Sequence, residues 1–260
     1  MRRELKAFKR LETLTTSSPS DRDGIPRCFG YHALRDSDCT GNGKNSRKGL
    51  VLERVPGLVL DKLPRLGDDH PLAARLGARL VRLLHKIHAA GVVHGDLTPC
   101  NVIYDAAGNR LVLLDFGHCC LDYRKARPGA AQRGGKRHYV SLRKHSHPTD
   151  HAPLHPLDDL EAVCYLLLSC LNALPWVQLK PGSKGIEAGK RGLTRNSGAG
   201  AKATLASALG EAAGWVREAQ AALPAGVKNG ICACSAAGPG ARVCWCGMYT
   251  RLSAQLGRFG

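Results

Sequence analysis

Between Val92 and Cys119 the chain reads VVHGDLTPCNVIYDAAGNRLVLLDFGHC, with three oxygen-bearing side chains spaced for chemistry on a phosphate. Asp96 and Asn101 share one irregular loop, and Asp115 follows two short apolar runs, Val102–Tyr104 and Leu111–Leu114. The segment from Asp105 to Asn109 separates the runs, and a Gly-Asn pair between apolar segments is a hairpin signal. Folding that hairpin returns Asp115 to the neighbourhood of Asp96 and Asn101. Two carboxylates and one amide oxygen are hard ligands. They suit Mg²⁺, which keeps several waters and is usually held by one or two carboxylates together with substrate phosphates.

The elements that must carry this loop are also legible. Residues 71–90 place Leu72, Leu76, Leu80, Leu83, Leu84 and Ile87 on one wide apolar stripe, which predicts a buried helix delivering the chain to the loop. His85 and His88 lie on that helix with no acidic or cysteine partner at metal spacing, so a structural role is expected for them. Residues 3–14 carry Leu5, Phe8, Leu11 and Leu14 at helical spacing, and Ile25–Tyr31 reads as a short strand before the polar loop DSDCTGNGKNSRKG.

HGDLTPCN followed by DFG resembles the catalytic loop and metal-binding turn of the protein kinase superfamily. The resemblance implies that Asp96 accepts the proton of an incoming hydroxyl, and that Asn101 and Asp115 hold the Mg²⁺ bridging the phosphates of ATP. His94 would support the loop, and Phe116-Gly117 would form the turn that reports the active arrangement. Thr98 stands where a phosphate-contacting lysine is common. Leu50–Gly57 resembles the strand and hinge between two lobes, so that the backbone of Glu53 and Val55 would meet adenine and Ile103 would floor the ring. The helix over residues 3–14 would carry the glutamate that pairs with an ATP-binding lysine. Glu4 is the candidate, with an ordinary surface helix as the alternative, and Phe8 would join the internal spine.

The second half narrows the resemblance. GKRHYVSLRKH (135–145) and PLDDLEAVCYLLLSCLNALPW (156–176) are similar to the casein-kinase-one and vaccinia-related-kinase group, in which Asp159 would brace the catalytic-loop backbone. An acidic helix start favoured by the helix dipole is the plainer reading of Asp158-Asp159. The implied fold is α+β, protein-kinase-like and two-lobed, with an incomplete small lobe and a mainly helical large lobe. Residues 1–57 would be a partial small lobe and hinge. Residues 58–178 would be the large-lobe core with catalytic loop and activation segment, and 179–260 a basic insertion and Cys-containing end.

Three departures stand out. Gly95 replaces the arginine that grips a phosphorylated activation loop, and Thr98 replaces the lysine noted above. No glycine-rich loop or strand lysine precedes Glu4, which leaves a truncated copy or a degenerate kinase as the two readings.

At 260 residues and 43% apolar content the chain can bury a sizeable core. No run approaches the roughly 18 apolar residues of a membrane span, so no membrane is expected. The start lacks an apolar signal region. The 11 scattered cysteines suggest reduced thiols in a cytoplasmic or nuclear protein. The net charge is +17. Eight Lys or Arg residues and no acid lie between Tyr123 and His147, among them Arg133, Lys136 and Arg137. As an activation segment this is a basic platform for acidic or phosphorylated protein substrates, with nucleic acid as the rival partner. Lys180–Lys202, rich in Gly and Ser, is expected to be a flexible, solvated insertion. Cys232-x-Cys234 and Cys244-x-Cys246 could hold Zn²⁺ or remain reduced thiols. The expected function is ATP-dependent phosphoryl transfer to Ser or Thr of proteins. A pseudokinase binding module and a small-molecule phosphotransferase are the alternatives.

Overall fold

The computed structural model describes residues 2–15, 23–34, 47–64, 66–123, 135–146, 153–193, 204–221 and 245–260. It opens on α1 (Arg2–Arg10), whose inner face buries Ala7 and Phe8 and continues into Leu11. Arg10 in its last turn complements the helix dipole and pairs with Asp122 at 2.6 Å. The antiparallel strands β1 (Cys28–Leu34) and β2 (Arg47–Leu52) follow, with Tyr31 opposite Leu50. β1 begins three residues later than the apolar run suggests, because Gly24 and Ile25 instead bridge to Val112 and Thr15.

Beyond the hinge come β3 (Leu58–Val59), α2 (His70–Ala89), β4 (Val92–Val93), β5 (Val102–Asp105), β6 (Arg110–Leu113) and β7 (Cys120–Leu121). β5 and β6 form the expected hairpin, and β3 adds to β5, pairing Val59 with Ile103. β4 pairs with β7, so the loop with Asp96 and Asn101 and the turn with Asp115 lie between two strands that hold each other.

α2 starts where its sequence says it must. Asp69 caps the Leu72 amide at 2.8 Å, and Pro71 occupies the first turn, where a missing N–H costs nothing. α3 (Leu142–Ser146) is followed by α4 (Pro156–Cys170), which is buried from Pro156 through Leu168. A helix buried on every side is the core of its domain. α2 and α6 (Leu205–Ala221) pack against α4, and α7 (Trp245–Gly257) covers the outer side of α2.

Within Lys180–Lys202 the structure corrects the flexible reading. Residues Lys184–Gly192 form α5, capped by Ser183, and Lys190 is fully buried. Ile186 and Lys190 lie one turn apart on its inner face, and the apolar Ile186 gives that face something to bury. Among the described residues no helix is long and apolar enough to cross a membrane, and Cys28, Cys100, Cys119, Cys120, Cys164 and Cys170 are free thiols. Arg133 and the side chains of the Cys-x-Cys pairs lie outside the described residues.

Candidate active site

The loop that carries Asp96 is anchored from below by Asp159, itself 1% exposed in the first turn of α4. Its Oδ2 accepts the His94 amide at 2.7 Å and faces His88 Nε2 at 2.8 Å, while its Oδ1 accepts the Gly95 amide at 2.8 Å. His88 is therefore structural: its Nδ1 meets the Tyr249 hydroxyl, tying α2 to α7. His94 Nε2 donates to the Leu114 carbonyl at 2.8 Å and its Nδ1 accepts the Asp96 amide at 3.2 Å, which joins the loop to the end of β6. Gly95 sits at φ +79, and a β-carbon there would lie 2.5 Å from Leu154 Cδ1 and 3.0 Å from the His118 carbonyl. The backbone conformation and the lack of space both require glycine.

Asn101 Nδ2 donates to the Asp96 carbonyl at 2.9 Å, which commits the amide nitrogen inward and leaves Oδ1 as the atom that could ligate a metal. Across the hairpin, Asp115 adopts φ +60, a left-handed conformation rare for a non-glycine residue. Its Oδ1 accepts the Gly117 amide at 3.0 Å, and the side chain is exposed. Phe116, fully buried, packs edge-on against Phe8 of α1 at 5.4 Å and against His94 at 4.9 Å between ring centroids. Phe8, Phe116 and His94 thus make one continuous stack from α1 to the catalytic loop.

Asp96 is 9% exposed, and its Oδ1 accepts the Lys136 amide at 2.9 Å. Gly135 donates to the Gly95 carbonyl at 2.8 Å and lies so close that a β-carbon on it would fall 1.6 Å from Asp96 Oδ1. The Lys136 ammonium lies 3.6 Å from Cys100 Sγ at the mouth of the site, and Arg137 is exposed beside it.

Of the remaining expected positions, Glu53 gives its amide to the Arg27 carbonyl at 2.8 Å, and its carboxylate accepts the Arg27 amide. Val55 is half-buried, with no hydrogen bond to its amide among the described residues, and Ile103 is half-buried on β5. Thr98 is fully buried, with no partner for its hydroxyl among the described residues. Burial and then the Asp115 charge raise the Glu4 carboxyl above its usual range, and no basic group pairs with Glu4 among the described residues.

A buried polar scaffold escaped the sequence reading. Asp158 takes Ser141 Oγ, both Arg143 nitrogens and the His155 amide. Burial opposes its charge, but Arg143 and these donors hold its carboxyl below the usual range. Lys190 Nζ donates to the carbonyls of Arg137 at 2.8 Å and Val140 at 2.5 Å and sits 3.3 Å from His145 Nδ1. Burial pushes its amine down to about 7. Both groups hold the 135–146 segment that lies on Asp96. Apart from the His155 amide, which is local to the start of α4, their partners are distant in sequence, so no local spacing announces them.

Mg²⁺ fits the oxygen donors present. Asn101 Oδ1 and the Asp115 carboxylate are two hard ligands that leave room for phosphate oxygens and water. Among the described residues no group of three or more His, Cys, Asp and Glu side chains could hold a metal unaided.

Comparison with known proteins agrees with this fold. The family described as ABC1 atypical kinase-like domain matches residues 44–131. A probable casein kinase I homologue of Encephalitozoon cuniculi is 32% identical over 117 residues, 42% of this chain and 37% of that protein. A probable bifunctional tRNA threonylcarbamoyladenosine biosynthesis protein of Methanosarcina barkeri is 52% identical over 109 residues, 37% of this chain and 20% of that protein. The chain thus spans 37% of the first of these curated relatives and 20% of the second. The solved structure of vaccinia related kinase 3 superposes over 99% of this chain and 74% of its own with a TM-score of 0.62, at 19% identity.

Proposed function

From a chain that has the fold of the protein kinase superfamily, similar to casein kinase I and the vaccinia-related kinases, we propose that it transfers the γ-phosphoryl group of ATP to Ser or Thr of intracellular proteins. The observation that carries this reading is the joint anchoring of Asp96, Asn101 and Asp115. One buried aspartate holds the loop, Asn101 is pinned to Asp96, and the Phe8–Phe116–His94 stack fixes the turn that bears Asp115. Positioning of this kind accounts for most phosphoryl-transfer catalysis.

Each residue then has a task. Asp96 Oδ1 is occupied by the Lys136 amide, so Oδ2 accepts the substrate hydroxyl proton and aligns the oxygen for in-line attack. Asn101 and Asp115 hold Mg²⁺, which when bound neutralises charge on the phosphates. The Glu53 carbonyl, the Val55 amide and the apolar Ile103 receive adenine. The exposed Lys136 and Arg137 favour acidic or phosphorylated protein substrates. RNA remains the rival partner, given the +17 net charge and the tRNA-related name of the Methanosarcina protein.

A second reading, a nucleotide-binding module without transfer, has two observations on its side. Gly135 presses on Asp96, and Glu4 has no basic partner among the described residues. Asp96→Asn and Asp115→Asn separate the readings. Under the enzyme reading both abolish phosphate transfer, and only Asp115→Asn weakens Mg·ATP binding. Transfer at the wild-type rate by both variants would exclude the proposed chemistry. A wild type that binds Mg·ATP and phosphorylates no peptide would establish the binding module.

A further inference from the structure

Away from the catalytic loop, α2, the end of α7 and the β5–β6 turn enclose a cavity of about 550 Å³ that contains neither Asp96, Asn101 nor Asp115. This volume is within the range of ligand sites. Its floor is apolar, formed by Leu72, Leu76 and Leu256. Its wall is a stripe of three arginines on one face of α2: Arg75, Arg79 and Arg82.

The three are not equivalent. Arg79 is committed to the fold. It forms a bidentate pair with Asp23, donates to Asn109 Oδ1 and to the Asn109 carbonyl at 2.7 Å each, and lies 5.8 Å from the centre of the Tyr104 ring. Asp23 also accepts the Leu111 amide at 3.0 Å, so this pair locks the catalytic hairpin onto α2. Arg75 and Arg82, one turn to either side, are exposed, and neither makes an ion pair or hydrogen bond among the described residues. Like charges three and four residues apart on a helix repel. Two of these three cations therefore cost helix stability and make no polar contact in return among the described residues, while both line a cavity with an apolar floor.

The geometry points to this cavity as a docking site for an acidic peptide segment of a protein partner, with Arg75 and Arg82 each taking a carboxylate and the leucine floor taking an apolar side chain between them. The two arginines are seven residues apart, roughly 10 Å along the helix axis. In an extended chain alternate side chains share a face, so the favoured occupant carries two acids four positions apart, about 13 Å, with an apolar residue midway, a span that the flexible arginine side chains reach. Guanidinium groups suit carboxylates because their planar fork bonds both oxygens. The committed Arg79 between them gives the site a fixed reference that surface lysines elsewhere lack. Binding here does not depend on phosphoryl transfer, so it stands or falls separately from the proposed activity.

The test uses the full chain and a short fluorescein-labelled peptide containing Glu-Ala-Leu-Ala-Glu, with a Gln-Ala-Leu-Ala-Gln counterpart, read by anisotropy across a NaCl series. The acidic peptide is expected to bind and the neutral one not. Arg75→Glu and Arg82→Glu should each weaken binding about tenfold or more. Both residues are exposed, so melting temperatures should hold, and Lys9→Glu on the distant α1 should change nothing. Equal losses with Lys9→Glu would reduce the effect to net charge and overturn the site. So would undiminished peptide binding by Arg75→Glu and Arg82→Glu, or a structured RNA that binds tightly and loses affinity with these variants while the acidic peptide does not bind.

Discussion

Removing the carboxylate of Asp159 should damage the protein more than removing any catalytic side chain. Asp159→Ala leaves the buried His94 amide and His88 ring and the half-buried Gly95 amide without their acceptor. Each orphaned buried donor costs about 1–3 kcal/mol, and breaking a buried pair costs about 3–5 kcal/mol. The three losses share one site and do not sum fully, so a destabilisation of about 4 kcal/mol is expected. That is a large part of the roughly 5–15 kcal/mol that holds a domain folded. Asp159→Asn keeps the shape and one acceptor oxygen but turns an NH₂ toward a donor, so about half that loss is expected. Because the freed amides flank Asp96, the Asn variant should also lower kcat, on the order of 100-fold for a shift near 1 Å, with the KM for ATP little changed. Urea unfolding followed by circular dichroism measures the first effect and peptide phosphorylation the second. A loss below about 1 kcal/mol for Asp159→Ala would refute the claim that this carboxylate supports the loop.

Two further outcomes follow from charge. Lys190 binds its proton less readily in the fold, near 7, than in the unfolded chain, near 10.5. The unfolded state therefore holds more protons between those values, and stability should rise with pH there. Above about 9 the buried thiols of Cys119, Cys164 and Cys170, pushed up to about 12, oppose the gain, so the useful window is pH 7–9. Over it, wild type should gain up to about 3 kcal/mol relative to Lys190→Met. Parallel pH profiles would show that the two carbonyls and His145 keep the ammonium as comfortable as water does. Replacing Arg133, Lys136 and Arg137 together with alanine should leave the melting temperature nearly unchanged, since exposed ion pairs contribute only about 0–1 kcal/mol. It should raise KM for acidic peptides far more than for neutral ones, by a margin that shrinks with salt. Equal losses on both peptides would remove the platform's role in reading substrate charge.

The catalytic hairpin and the long helices were legible because their signals are local. Two short apolar runs around a Gly-Asn turn marked β5 and β6, and a wide leucine stripe marked α2. The loop Asp96–Asn101 and the turn at Asp115 were readable as one cluster because a hairpin converts sequence distance into spatial nearness. What stayed hidden depends on partners far along the chain. Arg79 finds Asp23 across 56 residues, and Lys190 finds Arg137 across 53. A lysine in a Gly-rich basic stretch has the composition of a solvated loop, and only its position one turn after Ile186 marks an inward face. The close approach of Gly135 to Asp96 had no signal either, because a glycine's neighbours cannot be read from its type.

Gly95 also limits what evolution or engineering can do with this molecule. Gating by phosphate on the activation segment would need a cation at this position, one residue before Asp96. The position is closed to every side chain by its positive φ, by Leu154 and by the His118 carbonyl. Gly95→Arg alone would displace the loop it was meant to regulate. A phosphate-responsive version would have to reshape Leu154 and the strand turn at His118 at the same time, and the intermediates would carry a misplaced Asp96. Residues 135–146 are secured by groups already in place, Lys190 and the Asp158–Arg143 pair.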